Sequence, residues 1–529
     1  MRSHRDFLWI VPCSLMLGLG LSLLGPGIWW IGWLAYAGLL ALGLWALALL
    51  WRSAETGPEP GQGRSGALGL MILLAVLLRM GLGMAFSTIL PPYGNDTQSQ
   101  NAGYIFPDAY NRDVQAWELA SSANPLWRAF DKSYSTDQYG GLLFVSSLIY
   151  RYLSPDAHRP WLIILVAALV AAIGIALAWK AVHKTWGRSM ALGVGWIMAL
   201  YPESILMGSS QMREPFLMTF IAMAFWGLVS WADNHRSAVA WLVGGLLGML
   251  LFSPGIAVIS IILLAGWIWF RGKERRIHWG WIAGVGAIVL LSFFLLSWSV
   301  GGSLHVKSGP AATLINWAKY AMNFDASVTT FNSGWLQTVF MSLPKTLHLP
   351  FIIAYGMAQP VLPAVIIDPG VWPLRVLGIL RALGWYALLP FLLYSLLPIW
   401  KMADKRQRLA WVWLWLVTWI WILLSSARAG GDQWDNPRYR VILLIFQAAL
   451  AGNALTWQRV TQDRWLARIL AVEGVFLVLF GYWYFTRKTV LNLIIFNVFE
   501  VLAAIAVISA AIFIIGWLSD RRRLKQEKR

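Results

Sequence analysis

The chain has 529 residues, of which 58% are hydrophobic and 12% charged, and its mean hydropathy is +0.61. This composition excludes a soluble globular protein, and several apolar runs exceed the roughly 18 residues that indicate a membrane span. The net charge of +18 does not indicate a nucleic-acid partner, because many lysines and arginines lie in short segments at alternate ends of the apolar runs, as in cytoplasmic loops.

The apolar runs are continuous rather than alternating, which predicts helices and not barrel strands. We therefore expect an all-α polytopic membrane protein with about 14 transmembrane helices and both termini in the cytoplasm. The N-terminal run is interpreted as a retained signal-anchor. The predicted spans lie near residues 8–24, 28–50, 66–90, 161–180, 189–207, 215–231, 238–253, 254–270, 278–298, 380–400, 409–426, 439–456, 465–485 and 490–518.

The same pattern predicts four regions along the chain. Two N-terminal helices and a cytoplasmic linker (1–65) precede a transmembrane core (66–298) that contains a first extracytoplasmic loop (91–140). A second extracytoplasmic region (299–373) leads to the C-terminal helices and a basic cytoplasmic tail (374–529).

Polar residues concentrate on one predicted face of the membrane. The loop 91–140 holds six acidic residues, and the short apolar segment 139–153 behind it predicts an interfacial or re-entrant helix. Two further polar turns, 201–215 and 425–440, fall on the same extracytoplasmic side. The unusual chemistry of the chain is therefore expected outside.

Four stretches occur in an order known from one enzyme superfamily: "FPDAYNRD" (106–113), "YGGLLFVSSLIYRYL" (139–153), "KTWGRSMALGVGWIMALYPESI" (184–205) and "SSQMREPFLMTF" (209–220). Over about residues 66–270 the chain resembles the GT-C superfamily of polyprenyl-phosphate-dependent membrane glycosyltransferases. Its likeness is greatest to the branch of protein mannosyltransferases and lipid A aminoarabinose transferases, with a weaker echo at 436–446. The chain departs from the family at 251–255, where "LFSPG" replaces the usual Arg-Pro, and in the C-terminal part, which carries no family signature.

The resemblance implies transfer of a sugar from a polyprenyl-phosphate donor to a lipid, glycan or protein acceptor. Such a reaction needs a base for the acceptor, and a carboxylate suits this task. Asp108 is the first candidate, from its place after Pro107 and from the superfamily's first-loop acid. Asp113 is a second candidate, and because it lies about 140° from Asp108 on a regular helix, the two converge only if the backbone is irregular. Glu214 is the third, in the turn where the family carries a Glu.

The departing phosphate needs cations, and arginine binds phosphate through two parallel hydrogen bonds. Arg438 and Arg440 lie just outside a predicted span, and interfacial snorkelling is the alternative interpretation for both. Further candidates are Arg213, Lys345 and His348. Arg79 lies in the middle of a span and therefore needs a partner or a water-filled cavity; Arg79, Arg112 and Tyr439 are expected to support the site.

Metal binding is left open by the sequence. Its single cysteine, Cys13, excludes an internal disulfide and a cysteine-based metal site, and the seven histidines are scattered. A divalent cation such as Mg²⁺ or Mn²⁺, if one is bound, would use the oxygens of Asp108, Asp113 or Glu214.

Two other functions remain open at this stage, an O-antigen polymerase or ligase and a transporter or flippase of a lipid-linked saccharide. A transporter needs polar residues along a path through the membrane, whereas the polar residues here gather on one face. The sequence therefore favours a membrane enzyme in a bacterial cytoplasmic (inner) membrane, with its active site facing outside.

Overall fold

A computed structural model describes residues 8–55, 66–131, 134, 139–272, 334–429, 432–488, 494 and 496–527. All regular secondary structure in these residues is helical. The first twelve helices are α1 Ile10–Leu24, α2 Trp29–Glu55, α3 Gly66–Tyr93, α4 Gln98–Asn101, α5 Pro107–Ser121, α6 Gly141–Leu153, α7 Trp161–Trp186, α8 Arg188–Leu200, α9 Pro202–Gly208, α10 Glu214–Val229, α11 His235–Phe252 and α12 Pro254–Arg271. A 3₁₀ turn, Leu126–Phe130, lies between α5 and α6.

The later helices are shorter at first and then long again. They are α13 Gly334–Ser342, α14 Lys345–Ala358, α15 Leu362–Ile367, α16 Trp372–Tyr394, α17 Leu396–Trp400, α18 Lys405–Ala429, α19 Asp435–Arg440, α20 Leu444–Thr461, α21 Trp465–Lys488 and α22 Val498–Glu527. The chain divides into two compact units, Met1–Ala318 with Val441–Ala449, and Lys319–Arg440 with Leu450–Arg529.

Ten candidate spans in the described part of the chain are long and apolar enough to cross a membrane, or eleven if the bent pair α8 and α9 is one span. The predictions of an all-α membrane protein and of these spans are confirmed. The predicted spans at 8–24 and 215–231 correspond to shorter apolar helices, α1 and α10. The predicted span 278–298 lies outside the described residues, so the count of 14 and the cytoplasmic termini stay predictions.

Helix α7 is the centre of the first unit, and it packs against α2, α3, α8 and α10. Its many alanines and glycines allow close approach of neighbouring backbones, which is how helices associate in lipid. Gly174 shows this most directly, because a Cβ atom there would lie 2.4 Å from Thr219 Oγ1 on α10. The two helices are thus in contact through a position that admits no side chain.

Arg79, in the middle of α3, is fully buried. It donates hydrogen bonds at the break between α8 and α9. The carbonyl of Met198 has lost its usual partner four residues on, because Pro202 has no N–H. Arg79 Nη2 donates to this carbonyl at 3.0 Å and to Ser204 Oγ at 2.7 Å, and Nη1 donates to the Ala199 carbonyl at 3.3 Å. The expectation that this charge needs polar partners is confirmed, and α8 and α9 meet at a 55° bend.

The second unit contains a cluster of buried apolar side chains between α13, α21 and α22, formed by Val339, Val361, Phe480, Trp483, Tyr484, Val498 and Val501. Arg468 on α21 forms a two-pronged ion pair with Asp520 on α22, with distances of 2.7 and 2.8 Å. The planar guanidinium matches both carboxylate oxygens, so the pair fixes the register of these two helices.

We expect Arg79→Met to destabilise the protein strongly. The Ala199 carbonyl would lose its donor from Arg79 inside the helix packing, at a cost of about 1–3 kcal/mol, whereas the Met198 carbonyl would keep the hydrogen bond from Ser204 Oγ at 3.1 Å. The measurement is the midpoint of unfolding in increasing SDS. Arg236→Met is the control, because Arg236 is exposed at the start of α11; equal midpoints for both variants would contradict the role of Arg79.

Candidate functional site

Helix α5 carries the two candidate aspartates of the first loop, Asp108 and Asp113, and presents them on different faces. Pro107 occupies its first turn, where a missing N–H costs nothing. The helix is continuous to Ser121, so the irregular backbone that would bring Asp108 and Asp113 together is absent between them. Asp108 is exposed, whereas Asp113 is buried.

Asp113 is the acceptor at the centre of a polar cluster in the first unit. The hydroxyl of Tyr104 donates to its Oδ2 atom and the hydroxyl of Tyr150 to its Oδ1 atom. Nε2 of His158 lies 2.8 Å from Oδ2. We call these four residues the Asp113 cluster; its members come from the segment before α5, from α5 and α6, and from the loop before α7.

Aromatic rings hold the histidine of this cluster in place. His158 stacks on Trp117 with ring centres 5.3 Å apart, and it meets the edge of Tyr150 at 5.0 Å. Trp117 and Tyr150 are themselves in edge contact at 5.8 Å. The imidazole therefore has a defined plane as well as a defined partner.

Burial and the carboxylate act in the same direction on the two tyrosines. Burial raises the pKa of Tyr104 and of Tyr150, and the negative charge of Asp113 raises both pKa values further. Both hydroxyls thus remain protonated at neutral pH and serve as donors to the carboxylate.

The loop before α7 is fixed by Arg159, which is fully buried. Arg159 pairs with Asp156 through distances of 2.6 and 2.8 Å, and it donates to Ser154 Oγ at 2.8 Å and to the Ile28 carbonyl at 2.9 Å. The Ile28 amide donates in turn to Asp156 at 2.7 Å. The hydrogen bond from Arg159 lowers the pKa of Asp156 to about 2, and His158 lies between these anchored residues.

The Tyr-Arg pair at the end of α6 serves α5 twice. Tyr150 binds Asp113, and the adjacent Arg151 donates to four carbonyls after the last turns of α5, at Leu119, Ala120, Ser122 and Asn124, with distances of 2.6 to 3.1 Å. A helix end leaves its last carbonyls unpaired, so Arg151 caps α5. This explains why the two residues are adjacent in the sequence.

The turn before α10 reaches the same region. Arg112 Nη1 donates to the Gln211 carbonyl at 3.1 Å, and Gln211 Nε2 donates to the Pro160 carbonyl at 3.1 Å. Glu214 is fully buried in the first turn of α10, and the guanidinium of Arg213 lies 5.2 Å from the ring centre of Tyr139.

A cavity of about 320 Å³ borders the Asp113 cluster through Tyr104. Its lining combines aromatic and polar side chains, among them Tyr36, Tyr104, Arg159, Trp161, Ser210 and Gln211. This mixture is typical of small polar ligands, which need a few oriented hydrogen-bond partners on an otherwise apolar wall.

In the second unit, Arg438 and Arg440 are both buried beside a third arginine, Arg381. Arg438 pairs with Asp435 at 3.3 Å, and Arg440 lies 3.4 Å above the Trp385 ring and donates to the Gln359 carbonyl at 2.9 Å. Arg381 stacks on Trp434 at 4.6 Å and donates to its carbonyl at 3.1 Å. Buried stacked guanidiniums of this kind suit planar recognition of phosphate.

The remaining phosphate candidates lie elsewhere in the second unit. Lys345 is exposed at the start of α14, and the rise of a helix places it about 16 Å from Gly356 at the other end, where Asn436 of α19 binds. His348 closes the turn before α14 by contacting the Leu343 carbonyl at 3.0 Å and Phe340. The ring of Tyr439 lies between Arg428 and Arg438, at 4.7 and 5.4 Å.

Four residues of these sites were not singled out from the sequence: Tyr104, Tyr150, His158 and Arg381. The sequence could have indicated two of them. Tyr150 belongs to the quoted Tyr-Arg motif, and Arg381, like Arg79, is a charged residue inside an apolar run. No sequence pattern indicated Tyr104 or His158, because only the folded chain brings them to Asp113.

The described residues contain no group of three or more His, Cys, Asp and Glu side chains placed to hold a metal ion. Asp108, Asp113 and Glu214 are therefore not gathered around one point.

The comparison with solved structures gives likenesses, whereas the two comparisons with families and curated proteins do not. No protein-family model matches the chain, and no curated protein matches it significantly. A solved structure of the archaeal oligosaccharyltransferase AglB from Archaeoglobus fulgidus, in complex with an inhibitory peptide and a dolichol-phosphate, is similar over 86% of this chain and 55% of that chain. The chain therefore spans about half the length of that protein. Because the TM-score is 0.38 and the identity 13%, the likeness does not establish a family.

We expect Asp113→Asn to destabilise the protein. The substitution replaces one carboxylate oxygen by an amide nitrogen, so the hydroxyl of Tyr104 or Tyr150 loses its acceptor. An unsatisfied buried group costs about 1–3 kcal/mol. Asp108→Asn on the exposed face should cost less than about 1 kcal/mol, the range of a charge near a helix N-terminus. Unfolding midpoints in SDS compare the two variants; equal losses would contradict the separation of the two faces.

Proposed function

We propose that this protein is a membrane glycosyltransferase of the GT-C type that moves a sugar from a polyprenyl-phosphate donor to an acceptor outside the cytoplasm. The observation that supports it is the Asp113 cluster, a buried carboxylate with oriented hydroxyl and imidazole partners on the first predicted extracytoplasmic loop. Such a cluster in a chain of membrane-spanning helices fits a reaction whose donor is anchored in lipid.

The chemistry of the cluster matches the acceptor half of this reaction. An acceptor hydroxyl, amine or amide must lose a proton as it attacks the sugar, and acid–base groups near the operating pH accelerate this step. Asp113 provides a buried carboxylate, and His158 provides an imidazole whose Nε2 lies 2.8 Å from it. The adjacent cavity of about 320 Å³ has a size suited to a single sugar residue and carries a few polar side chains on a mostly apolar wall.

The donor half requires stabilisation of the phosphate that leaves. In the second unit Arg438, Arg440 and Arg381 have buried guanidiniums, and these three residues are the candidates for binding a phosphate. Charge-assisted hydrogen bonds from arginine to phosphate are about twice as strong as neutral ones. Arg213, Lys345 and His348 are weaker candidates, because Arg213 is engaged with Tyr139, Lys345 lies at the far end of α14 and His348 closes a local turn.

Asp108 and Asp113 are separate candidates in this proposal. Asp108 is the accessible carboxylate on α5, as a direct base requires, whereas Asp113 organises the polar cluster. We place the reaction at Asp113, and Asp108 as base remains the competing assignment. Glu214, buried at the start of α10, is assigned a supporting role, and a divalent cation would need oxygens from the donor phosphate as well as from the protein.

The test is transfer of radiolabelled sugar by the purified full-length protein in lipid nanodiscs, against a panel of polyprenyl-phosphate sugars and of lipid, glycan and peptide acceptors. The wild type is expected to transfer at least one sugar. Asp113→Asn should lower kcat about 100-fold or more, measured per folded protein, whereas Asp108→Asn should retain most of the activity.

The reverse ranking would move the base to Asp108 and leave the function intact. A wild-type protein that releases or transfers no sugar from any lipid-linked donor, while moving such a lipid between leaflets of a vesicle, would contradict the enzyme and favour a flippase.

A further inference from the structure

We infer that the His158 imidazole removes the acceptor's proton through Nδ1, and that Asp113, next to Nε2, positions the ring. This inference rests on the proposed function. The sequence assigns proton removal to a carboxylate of the first loop. The geometry of the Asp113 cluster points instead to a histidine held by that carboxylate.

The contact between the two side chains fixes which ring nitrogen is free. Nε2 of His158 is enclosed and lies 2.8 Å from Asp113 Oδ2, which is an ion-pair distance without hydrogen-bond geometry, and a lone pair this close to a carboxylate oxygen would be repelled. The proton therefore resides on Nε2, and Nδ1 carries the lone pair. Nε2 is enclosed, so a substrate that reaches the partly exposed ring meets Nδ1.

Accessibility separates the two members of the pair. The Asp113 side chain is 0% exposed and that of His158 is 28% exposed. Both carboxylate oxygens already accept hydrogen bonds from Tyr104 and Tyr150, so neither oxygen is open to an acceptor. An acceptor can thus reach the imidazole but not the carboxylate.

The histidine is also preorganised for this role. Trp117 and Tyr150 fix the plane of the ring, and Arg159 with Asp156 fixes the backbone on both sides of it. A base that is already oriented loses little entropy when the acceptor arrives, which is the usual advantage of a carboxylate–histidine pair.

Nδ1 of His158 takes the proton from the acceptor O–H or N–H while that oxygen or nitrogen forms a bond to the anomeric carbon of the sugar. The bond from this carbon to the phosphate oxygen breaks, and polyprenyl phosphate leaves with the electron pair. The imidazolium is stabilised by the Asp113 carboxylate, and it later returns its proton to water.

The experiment uses the full-length protein, in the transfer assay of the preceding subsection, with three variants. His158→Ala removes the ring, His158→Gln keeps a polar side chain near Asp113 but supplies no base, and His183→Ala is the matched control. His183 is also stacked on a tryptophan, Trp179, with ring centres 4.7 Å apart, so its loss measures the effect of removing a stacked imidazole away from the Asp113 cluster.

Both His158 variants are expected to lose about 10²- to 10⁴-fold in kcat, the usual contribution of a general base, while the donor KM stays within about threefold. Free imidazole should restore activity to His158→Ala by tenfold or more, because the vacated site is partly exposed, and should not restore His158→Gln, whose side chain fills the site. His183→Ala should retain wild-type kcat.

The results separate this inference from the function on which it rests. A wild type that transfers sugar, with His158→Gln within about threefold of its kcat, or with the loss confined to the donor KM, or without rescue by imidazole, would overturn His158 as the base and leave the glycosyltransferase in place. A wild type that transfers no sugar would overturn the function itself, and the role of His158 with it.

Discussion

A buried carboxylate needs donors, because an unpaired charge inside a protein costs several kcal/mol. Asp113 accepts hydrogen bonds from Tyr104, before its own helix, and from Tyr150 on α6, and His158 on the loop before α7 lies at ion-pair distance from it. These segments have little reason to meet otherwise, since α5 and α6 are short amphipathic helices rather than spans. The satisfaction of one carboxylate therefore organises the polar end of the first unit.

The same accounting of polar groups explains the interior of that unit. Pro202 removes one helical hydrogen bond, and Arg79 from a neighbouring helix replaces it at the Met198 carbonyl. Arg151 likewise binds the carbonyls that α5 leaves free at its end. Water cannot replace such hydrogen bonds in lipid. A buried arginine costs free energy, but here it donates to the carbonyls that helix ends and bends leave without a partner.

The spans were predictable from the sequence because hydropathy depends only on local composition, and ten of the predicted segments are long apolar helices. The bend after Leu200 was not predicted, since an apolar run continues across it and the missing hydrogen bond is visible only with Arg79 beside it. The acids of α5 were found by composition, and the helical angle between Asp108 and Asp113 predicted their separation. The partners of Asp113 were not predicted, because Tyr150 and His158 are 37 and 45 positions away from it in the sequence.

The central claim is that the donor sugar binds beside Asp113 and His158, on the face predicted to lie outside. Photocrosslinking with a polyprenyl-phosphate sugar that carries a diazirine on the sugar ring, followed by mass spectrometry of the peptides, tests it most directly. The account predicts adducts in the peptides that contain residues 104–118 and 154–161. Adducts confined to the predicted cytoplasmic segments, such as 401–408, would contradict it.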